Sequence, residues 1–204
     1  NSEINVIGLN TPLVSELSKY YLEGSDLIID TTNNLTSKVL SQEYAVDNKI
    51  PLINASSKFS YGKIVLFNKS EIDASYLLHD FHAEEEDPLI NMVLGGLIAE
   101  ESKKILMGQS NILIRPLYYN LTNPNRFSYN LLNKFNRKLG EFSNKKVLVV
   151  GAGALGNFVG MGLTKLGVEC IDFIDHDTIE STNLNRQVLF YDAVGSKKAQ
   201  VMSE

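Results

Sequence analysis

The stretch Val147-Leu-Val-Val-Gly-Ala-Gly-Ala-Leu-Gly156 decides the fold of this chain. Four β-favouring apolar residues run into glycines spaced G-x-G-x-x-G, and helical periodicity follows from Asn157 to Leu166. A strand, a tight turn and a helix start in this order aim backbone N–H groups at a phosphate. Gly151 permits the turn, Gly153 leaves room for phosphate oxygens, and Gly156 lets the helix pack closely on the strand. The stretch predicts a nucleotide site, although glycines after a strand also occur in purely structural turns.

The segment beyond the next predicted strand narrows the choice of nucleotide. Asp175 ends the strand Val168–Asp175, about twenty residues beyond the glycines, where a carboxylate can accept ribose hydroxyls. That much serves NAD and ATP equally. Arg186 and Lys198 favour phosphoryl or nucleotidyl transfer, because hydride transfer needs no cations beyond the pyrophosphate. If the two residues are ordinary surface cations, they do not indicate a nucleotide-transfer site.

At these residues the chain resembles the ubiquitin-activating (E1), ThiF and MoeB superfamily, whose signature runs GxGxxG, DxDxVxxSNLxRQ and GxxK. The matching segments are 151–156, 175–187 and 195–198. Members use ATP and Mg²⁺ to adenylate the C-terminal glycine of a ubiquitin-like protein or sulfur carrier. The resemblance implies Asp175 on the ribose, Asn183 and Arg186 near the α-phosphate with Gln187 supporting them, and Lys198 on the β and γ phosphates. It also implies nucleotide contacts at Gly151, Gly153, Ala154, Gly156 and Asp177.

The first half of the chain is similar to the later part of the same family. Residues 26–34 resemble its fourth strand and loop, 50–54 its fifth strand, 61–67 its return strand and 88–108 its long helix, whereas 126–132 resemble its opening RYSRQIL. We therefore interpret residues 1–120 as the C-terminal half and 126–204 as the N-terminal half of an adenylation domain. A circular permutation, a window across two tandem copies, and a residue order that differs from the gene remain alternatives.

We expect one compact α/β fold with a Rossmann-like, doubly wound, mainly parallel sheet, helices on both faces and an antiparallel return strand. Parallel strands near 146–150, 171–174, 4–7, 27–30 and 52–54 would take the order 3-2-1-4-5. Periodicity predicts helices over 12–21, 35–48, 88–107 and 131–142. The segment 111–125, rich in Asn, Tyr and Pro, is predicted to be a linker.

Two departures from the family pattern bear on catalysis. Asn33 stands where the family has an aspartate that helps to hold Mg²⁺, and Asp30 lies nearby as a substitute, so these two are the predicted metal ligands. Asn33, Arg186 and Lys198 are the predicted catalytic residues. Tyr129 stands where the family has an arginine that reaches the partner subunit's ATP in the homodimer. The chain also lacks zinc-binding cysteine pairs and a thioester cysteine, since its single cysteine, Cys170, falls in a predicted strand. Impaired activity is therefore predicted.

Composition sets the remaining limits. The 204 residues carry a formal net charge of −5 and no basic block, which argues against a nucleic-acid footprint. The apolar run Met92–Ala99 is too short to span a bilayer, and one cysteine with no signal pattern favours the cytoplasm. His79-x-x-His82, beside the acidic run 84–87, is interpreted as a solvated loop rather than a metal site.

The sequence thus predicts a homodimeric, ATP-dependent adenylyltransferase acting on a ubiquitin-like or sulfur-carrier protein. The main alternative is a non-catalytic subunit that binds a nucleotide or a ubiquitin-like partner, which Asn33 and Tyr129 favour. An NAD oxidoreductase rests only on the glycines and Asp175, and a small-molecule substrate also stays open.

Overall fold

The computed structural model describes residues 4–32, 34–68, 87–129 and 142–204. The chain divides into two compact units, residues 1–137 and residues 138–204, and each unit is described by itself.

The first unit is a five-stranded mixed sheet with helices. Strand β1 runs parallel to β2, and each further neighbour in the order β1-β2-β3-β4-β5 is antiparallel. The bounds are a 3-10 helix over Glu16–Leu22, β1 Ile28–Asp30, α1 Leu35–Asn48, β2 Leu52–Lys58, β3 Tyr61–Phe67, α2 Pro88–Leu106, β4 Leu117–Asn120 and β5 Phe127–Ser128.

Local signals fix the ends of both long helices in this unit. The Asn34 side chain accepts a hydrogen bond from the Ser37 N–H at 3.0 Å at the start of α1. Asp87 accepts one from the Leu89 N–H at 2.9 Å, with Pro88 in the first turn of α2. Two lysines lie in the last turn of α2, where positive charge suits the exposed carbonyl groups.

Alternating residues of β2 send apolar side chains to two cores. On one face Ile53 and Ile64 of the sheet pack with Ile90 and Leu94 of α2. On the other face the core combines sheet residues with Ala45 of α1. The buried members of this second core are Ile28, Ala45, Leu52, Val65 and Phe67. The sheet therefore carries a helix on each face.

The second unit is a β-α-β motif extended by short helices. Its strands, β6 Lys146–Val150 and β7 Cys170–Ile174, pair in parallel and are connected by α3 Ala154–Lys165. After β7 the chain continues through 3-10 helices at Ser181–Asn183 and Val188–Phe190 to α4 Lys198–Met202. Ala152, Ile179 and Phe190 form its buried core, with Phe173 packed against them.

The fold class is confirmed as α/β. Strands expected near 27–30, 52–54, 61–67, 146–150 and 171–174 are all present, and the return strand β3 is antiparallel as predicted. The expected parallel pairs, 27–30 with 52–54 and 146–150 with 171–174, are also present. The described strands form two separate sheets and residues 4–7, the third strand of the expected order, form no strand, so the order 3-2-1-4-5 is not confirmed.

Three predicted elements are wrong. Residues 4–7 form no strand, and Ile4, Val6 and Ile7 are exposed, since no neighbouring strand covers them. The helix expected over 12–21 is a 3-10 helix that begins only at Glu16. The predicted linker 111–125 contains β4, whose Leu117, Tyr118 and Tyr119 are buried; the flanking Asn and Pro residues conceal this four-residue strand in the sequence.

Other predicted elements lie outside the described residues. They are the helix over 131–142 except Phe142, and the histidine loop except Asp87. Among the described residues, no helix combines the length and apolar character needed to cross a membrane.

We predict that Leu94→Ala will lower the free energy of unfolding by about 2–5 kcal/mol, because it removes a side chain that is only 5% exposed and leaves a cavity between α2 and the sheet. Urea unfolding measures the change. Leu106→Ala, on the same helix but 62% exposed, is the matched control and should cost less than about 1 kcal/mol. Equal losses in both variants would contradict this packing.

Candidate functional site

The glycine turn between β6 and α3 is the centre of the candidate site. Gly151 has φ +97°, a conformation that favours glycine, and its N–H donates to the Ile174 carbonyl at 2.8 Å. Gly156 lies so close to the turn that a Cβ there would stand 2.2 Å from the Gly151 carbonyl oxygen. The first and third glycines of the motif are therefore required by geometry, as the sequence predicted.

The start of α3 has no side-chain cap. Gly153 is the N-cap residue and offers no side chain, while Ala154 is the first residue of this 12-residue helix. The unpaired N–H groups and the helix dipole make such an end attractive to an anion.

Asp175 ties the second strand to the glycine turn. One carboxylate oxygen accepts the Ala152 N–H at 2.7 Å, and the other accepts the Asp177 N–H at 2.8 Å. Burial alone would raise the pKa of Asp175, but these two N–H groups, with Lys198 and His176 nearby, hold the pKa below its ordinary value. The side chain is therefore a carboxylate at neutral pH and is placed at the turn.

Lys198 joins the same cluster from the start of α4. Its Nζ lies 2.8 Å from Asp177 Oδ2, its backbone N–H donates to the Asp177 carbonyl at 3.1 Å, and the residue is buried. Asp175, His176 and Asp177 bring three potential metal-ligand atoms within 4.8 Å of one another. Because Lys198 already balances Asp177 and backbone N–H groups occupy Asp175, this group does not point to a cation.

The segment 180–187 is organised by Asn183. Its side-chain oxygen accepts the Glu180 N–H at 3.1 Å, and its carbonyl accepts the N–H groups of Arg186 and Gln187. Gln187 is buried, and its Nε2 lies 4.0 Å from the point where a Cβ on Gly153 would be. Its Oε1 has no hydrogen-bond partner among the residues that the structure describes. The segment thus brings a buried amide to the glycine turn.

Arg186 is placed differently from the other predicted residues. Its guanidinium is exposed, and Nη1 donates to the Thr182 carbonyl at 3.1 Å and to the Asn185 side chain at 2.9 Å. Its role at the α-phosphate stays a prediction.

The sequence analysis missed Asn157. This fully buried residue of α3 donates from Nδ2 to the carbonyls of Ala152 and Gly153, and its Oδ1 accepts the Leu189 N–H at 3.0 Å. It therefore holds the glycine turn against the 3-10 helix that follows Gln187. A polar residue among the apolar and small residues of α3 was the available signal.

The predicted metal ligands belong to the first unit. Asn33 lies outside the described residues. Asp30 is only 5% exposed; its Oδ1 accepts from the Thr32 N–H at 2.8 Å and the Thr32 hydroxyl at 2.7 Å, and its Oδ2 accepts from the Ser41 hydroxyl at 3.2 Å. The Lys38 ammonium lies 3.9 Å from Oδ1, and a Mg²⁺ ion at this buried carboxylate would meet that positive charge, so Asp30 does not fit a direct ligand in this arrangement.

A cavity of about 300 Å³ lies beside Thr31, which follows β1, and Ala55, which follows the part of β2 that pairs with β1. Hydroxyl, amide and apolar groups line it, with no charged side chain: Thr31, Ala55, Ser56, Ser57, Asn91, Leu94, Gly95 and Ile98. Ligands in α/β sheets commonly bind at this end of the strands.

Comparison with known proteins identifies the family of the chain. The ThiF family model matches residues 1–139 and, separately, residues 135–204. The NEDD8-activating enzyme E1 catalytic subunit of Saccharomyces cerevisiae is 51% identical over 61 residues, which cover 29% of this chain and 20% of the relative. Adenylyltransferase and sulfurtransferase MOCS3 of Oryza sativa is 43% identical over 61 residues, covering 29% of this chain and 14% of the relative. The match to each relative thus spans a fifth of its length or less.

Among solved structures, E. coli MccB with AMPCPP and MccA is 46% identical over an aligned part that covers 30% of this chain and 18% of that one, with a TM-score of 0.30.

We predict that Gly156→Ala will destabilise the second unit strongly, since its Cβ would collide with the backbone carbonyl of Gly151 and cannot be relieved by a side-chain rotation. The control is Gly96→Ala, another helical glycine with nothing within 4 Å of the added Cβ. It should be neutral or stabilising by about 0.5–1 kcal/mol. Chemical denaturation of both variants gives the comparison; a Gly156→Ala protein as stable as the wild type would refute the close packing.

We also predict a pH signature for Asp175. A carboxyl group with a lowered folded-state pKa stabilises the fold at pH values above its ordinary pKa, and this contribution is lost as pH falls through the folded-state pKa. The stability difference between wild type and Asp175→Asn should therefore be largest above about pH 5 and should shrink below about pH 3.5.

Urea unfolding across this pH range measures the difference. Asp192→Asn, at an exposed position, is the control and should change the free energy of unfolding by less than about 0.5 kcal/mol. A difference for Asp175→Asn that does not vary with pH would contradict the proposed contacts of its carboxylate.

Proposed function

The chain belongs to the ThiF family, and we propose that it binds ATP at the glycine turn and adenylates the C-terminal carboxylate of a ubiquitin-like or sulfur-carrier protein. The observation that carries the proposal is the meeting of four features in residues 151–198. These are an uncapped helix start, the Asp175 carboxylate, the buried Gln187 amide and the buried Lys198 ammonium.

The ribose and phosphates have plausible partners in this cluster. Each oxygen of Asp175 accepts one backbone N–H and keeps a lone pair that a ribose hydroxyl can use. The start of α3 offers backbone N–H groups to the phosphates, and the absence of a Cβ at Gly153 permits close approach.

We assign the cations to different phosphates. Lys198 would exchange its ion pair with Asp177 for the β and γ phosphates, while Arg186, with Asn183 and Gln187, would serve the α-phosphate. Hydrogen bonds between a cationic group and a phosphate are roughly twice as strong as those between neutral groups.

For this reaction the protein has to position the reactants and stabilise the charge that develops on the phosphates. A carboxylate oxygen of the carrier attacks the α-phosphorus, the bond from that phosphorus to the bridging oxygen of the β-phosphate breaks, and pyrophosphate leaves with the electron pair. The products are an acyl adenylate and pyrophosphate. A carboxylate is already ionised at neutral pH, so no general base is required.

Mg²⁺ would neutralise phosphate charge when bound, and Asn33 stays our candidate ligand for it. The burial of Asp30 beside the Lys38 ammonium does not fit direct coordination, so we derive no step through the metal.

The remaining assignments also stay proposals. They are the two half-domains, residues 1–120 and 126–204, their assembly into one fold, the homodimer and the cytoplasmic location. The separate matches of the family model to residues 1–139 and 135–204 support a boundary between the halves.

A non-catalytic nucleotide-binding subunit is the second candidate. Asn33 and Tyr129 favour it, because each replaces a charged residue of the family pattern. Restoring aspartate with Asn33→Asp distinguishes the two: a gain in magnesium-dependent turnover supports the enzyme, and no gain supports the subunit.

We predict that Lys198→Met will lower ATP affinity at least tenfold and leave AMP affinity within about twofold, because Lys198 is assigned to the β and γ phosphates. Titration calorimetry with ATP, AMP and NAD measures this. Lys197→Met is the adjacent control, since the Lys197 ammonium bonds the His176 carbonyl at 2.9 Å instead. Tighter binding of NAD than of ATP would overturn the proposal.

Catalysis is tested by ATP–pyrophosphate exchange that depends on a small protein ending in Gly-Gly. Exchange would support adenylation. ATP binding without exchange for any candidate carrier would contradict adenylation and support the non-catalytic nucleotide-binding subunit.

A further inference from the structure

The buried Lys38 of α1 connects the ends of two parallel strands in the first unit. Its side chain is fully buried, and Nζ donates to Asn54 Oδ1 at 2.6 Å and to the Ala55 carbonyl at 3.1 Å, both on β2. The same ammonium lies 3.9 Å from Asp30 Oδ1, at the end of β1. One buried cation therefore contacts both strands where their pairing ends.

Asp30 in turn fixes the chain that leaves β1. Both Thr32 donors bond its Oδ1, and Ser41 of α1 bonds its Oδ2. The Thr32 hydroxyl lies 3.5 Å from the Asn34 N–H, and Asn34 caps α1. The contacts of Asp30 thus extend along the turn to the helix that carries Lys38.

We propose that Lys38 is a positioning residue and that Asp30 is an anchor for Thr31 and Thr32, the residues that follow β1, rather than a metal ligand. Thr31 directly follows Asp30, and Ala55 gives its carbonyl to Lys38; both line the cavity of about 300 Å³. The network therefore sets two walls of that cavity and the path of the chain on either side of Asn33.

The energetics of burial explain why the network needs both charges. Removing one member of a buried ion pair leaves an uncompensated charge and costs more than removing both. Asn54 Oδ1 and the Ala55 carbonyl add hydrogen bonds to the ammonium, so the cation is neutralised and solvated by protein groups.

The first test is local hydrogen exchange in the full chain. Lys38→Met should speed exchange of the Thr32 N–H at least tenfold and leave the Ile64 N–H on β3 nearly unchanged, because the anchor loosens without unfolding the sheet. Lys103→Met, an exposed lysine of α2, is the control. Thr32 exchange no faster than in this control would overturn the positioning role.

A second variant keeps the test decisive if Lys38→Met does not fold. Asn54→Leu removes only the acceptor at 2.6 Å and retains both charges, so Thr32 exchange should rise by a smaller factor in the same direction. Lys38→Arg, which keeps the charge, should restore part of the protection.

A double-mutant cycle tests the charge pairing. Each single substitution, Asp30→Asn or Lys38→Met, should raise the unfolding equilibrium constant by a certain factor. The double variant should raise it by at least tenfold less than the product of these two factors. Additive effects would show that the two side chains act independently and would overturn the pairing.

The metal part of the inference rests on the proposed function and has its own readout. Mn²⁺ titrated in the presence of ATP and followed by electron paramagnetic resonance should bind Asp30→Asn and Lys38→Met with affinities that fall by similar factors. A loss of tenfold or more in Asp30→Asn alone would make Asp30 a direct ligand. Absence of ATP-dependent Mn²⁺ binding in the wild type would count against the proposed function, while the exchange and cycle results still decide the anchoring role.

Discussion

The second unit depends on one carboxylate. Asp175 accepts the N–H of Ala152 in the glycine turn and the N–H of Asp177 in the following loop, so it joins the end of β7 to the start of the site. Two further predicted residues are placed relative to this junction: Lys198 reaches it through Asp177, and the Gln187 side chain lies beside Gly153. The cost of burying the carboxylate is offset by two backbone donors and a nearby ammonium, which also keep it charged.

Much of this arrangement could be predicted because it rests on local sequence. A run of β-branched and apolar residues before Gly151 predicts β6, and the glycine spacing predicts the turn whose Gly156 tolerates no Cβ. The bounds predicted for α1 and β3 agree with the structure, because caps and alternation act within a few residues.

The features that escaped prediction depend on partners distant in sequence. Strand β4 lies between β3 and β5 and adds Tyr119 to the core, but nothing inside Leu117–Asn120 distinguishes it from a tyrosine-rich loop. Residues 4–7 show the reverse: they have the composition of a strand, but no described strand pairs with them. Lys38 and Asn157 are polar helix residues whose roles depend on distant partners: Lys38 donates to Asn54, and Asn157 accepts the N–H of Leu189.

Each unit has an aspartate at the end of a parallel strand, and the two aspartates serve different purposes. At the end of a parallel strand, Asp30 accepts the N–H of Thr32 at 2.8 Å, and Asp175 accepts the N–H of Asp177 at 2.8 Å. What differs is the second oxygen. In Asp30 it bonds Ser41 inside a buried network closed by Lys38, whereas in Asp175 it bonds the glycine turn beside an uncapped helix start. Asp30 is only 5% exposed and lies beside the buried Lys38 ammonium, so it can hold a loop but is shielded from a ligand, whereas the partly exposed Asp175 can do both. Position at a strand end therefore does not by itself make an aspartate a binding residue, and its burial and the neighbouring charge decide.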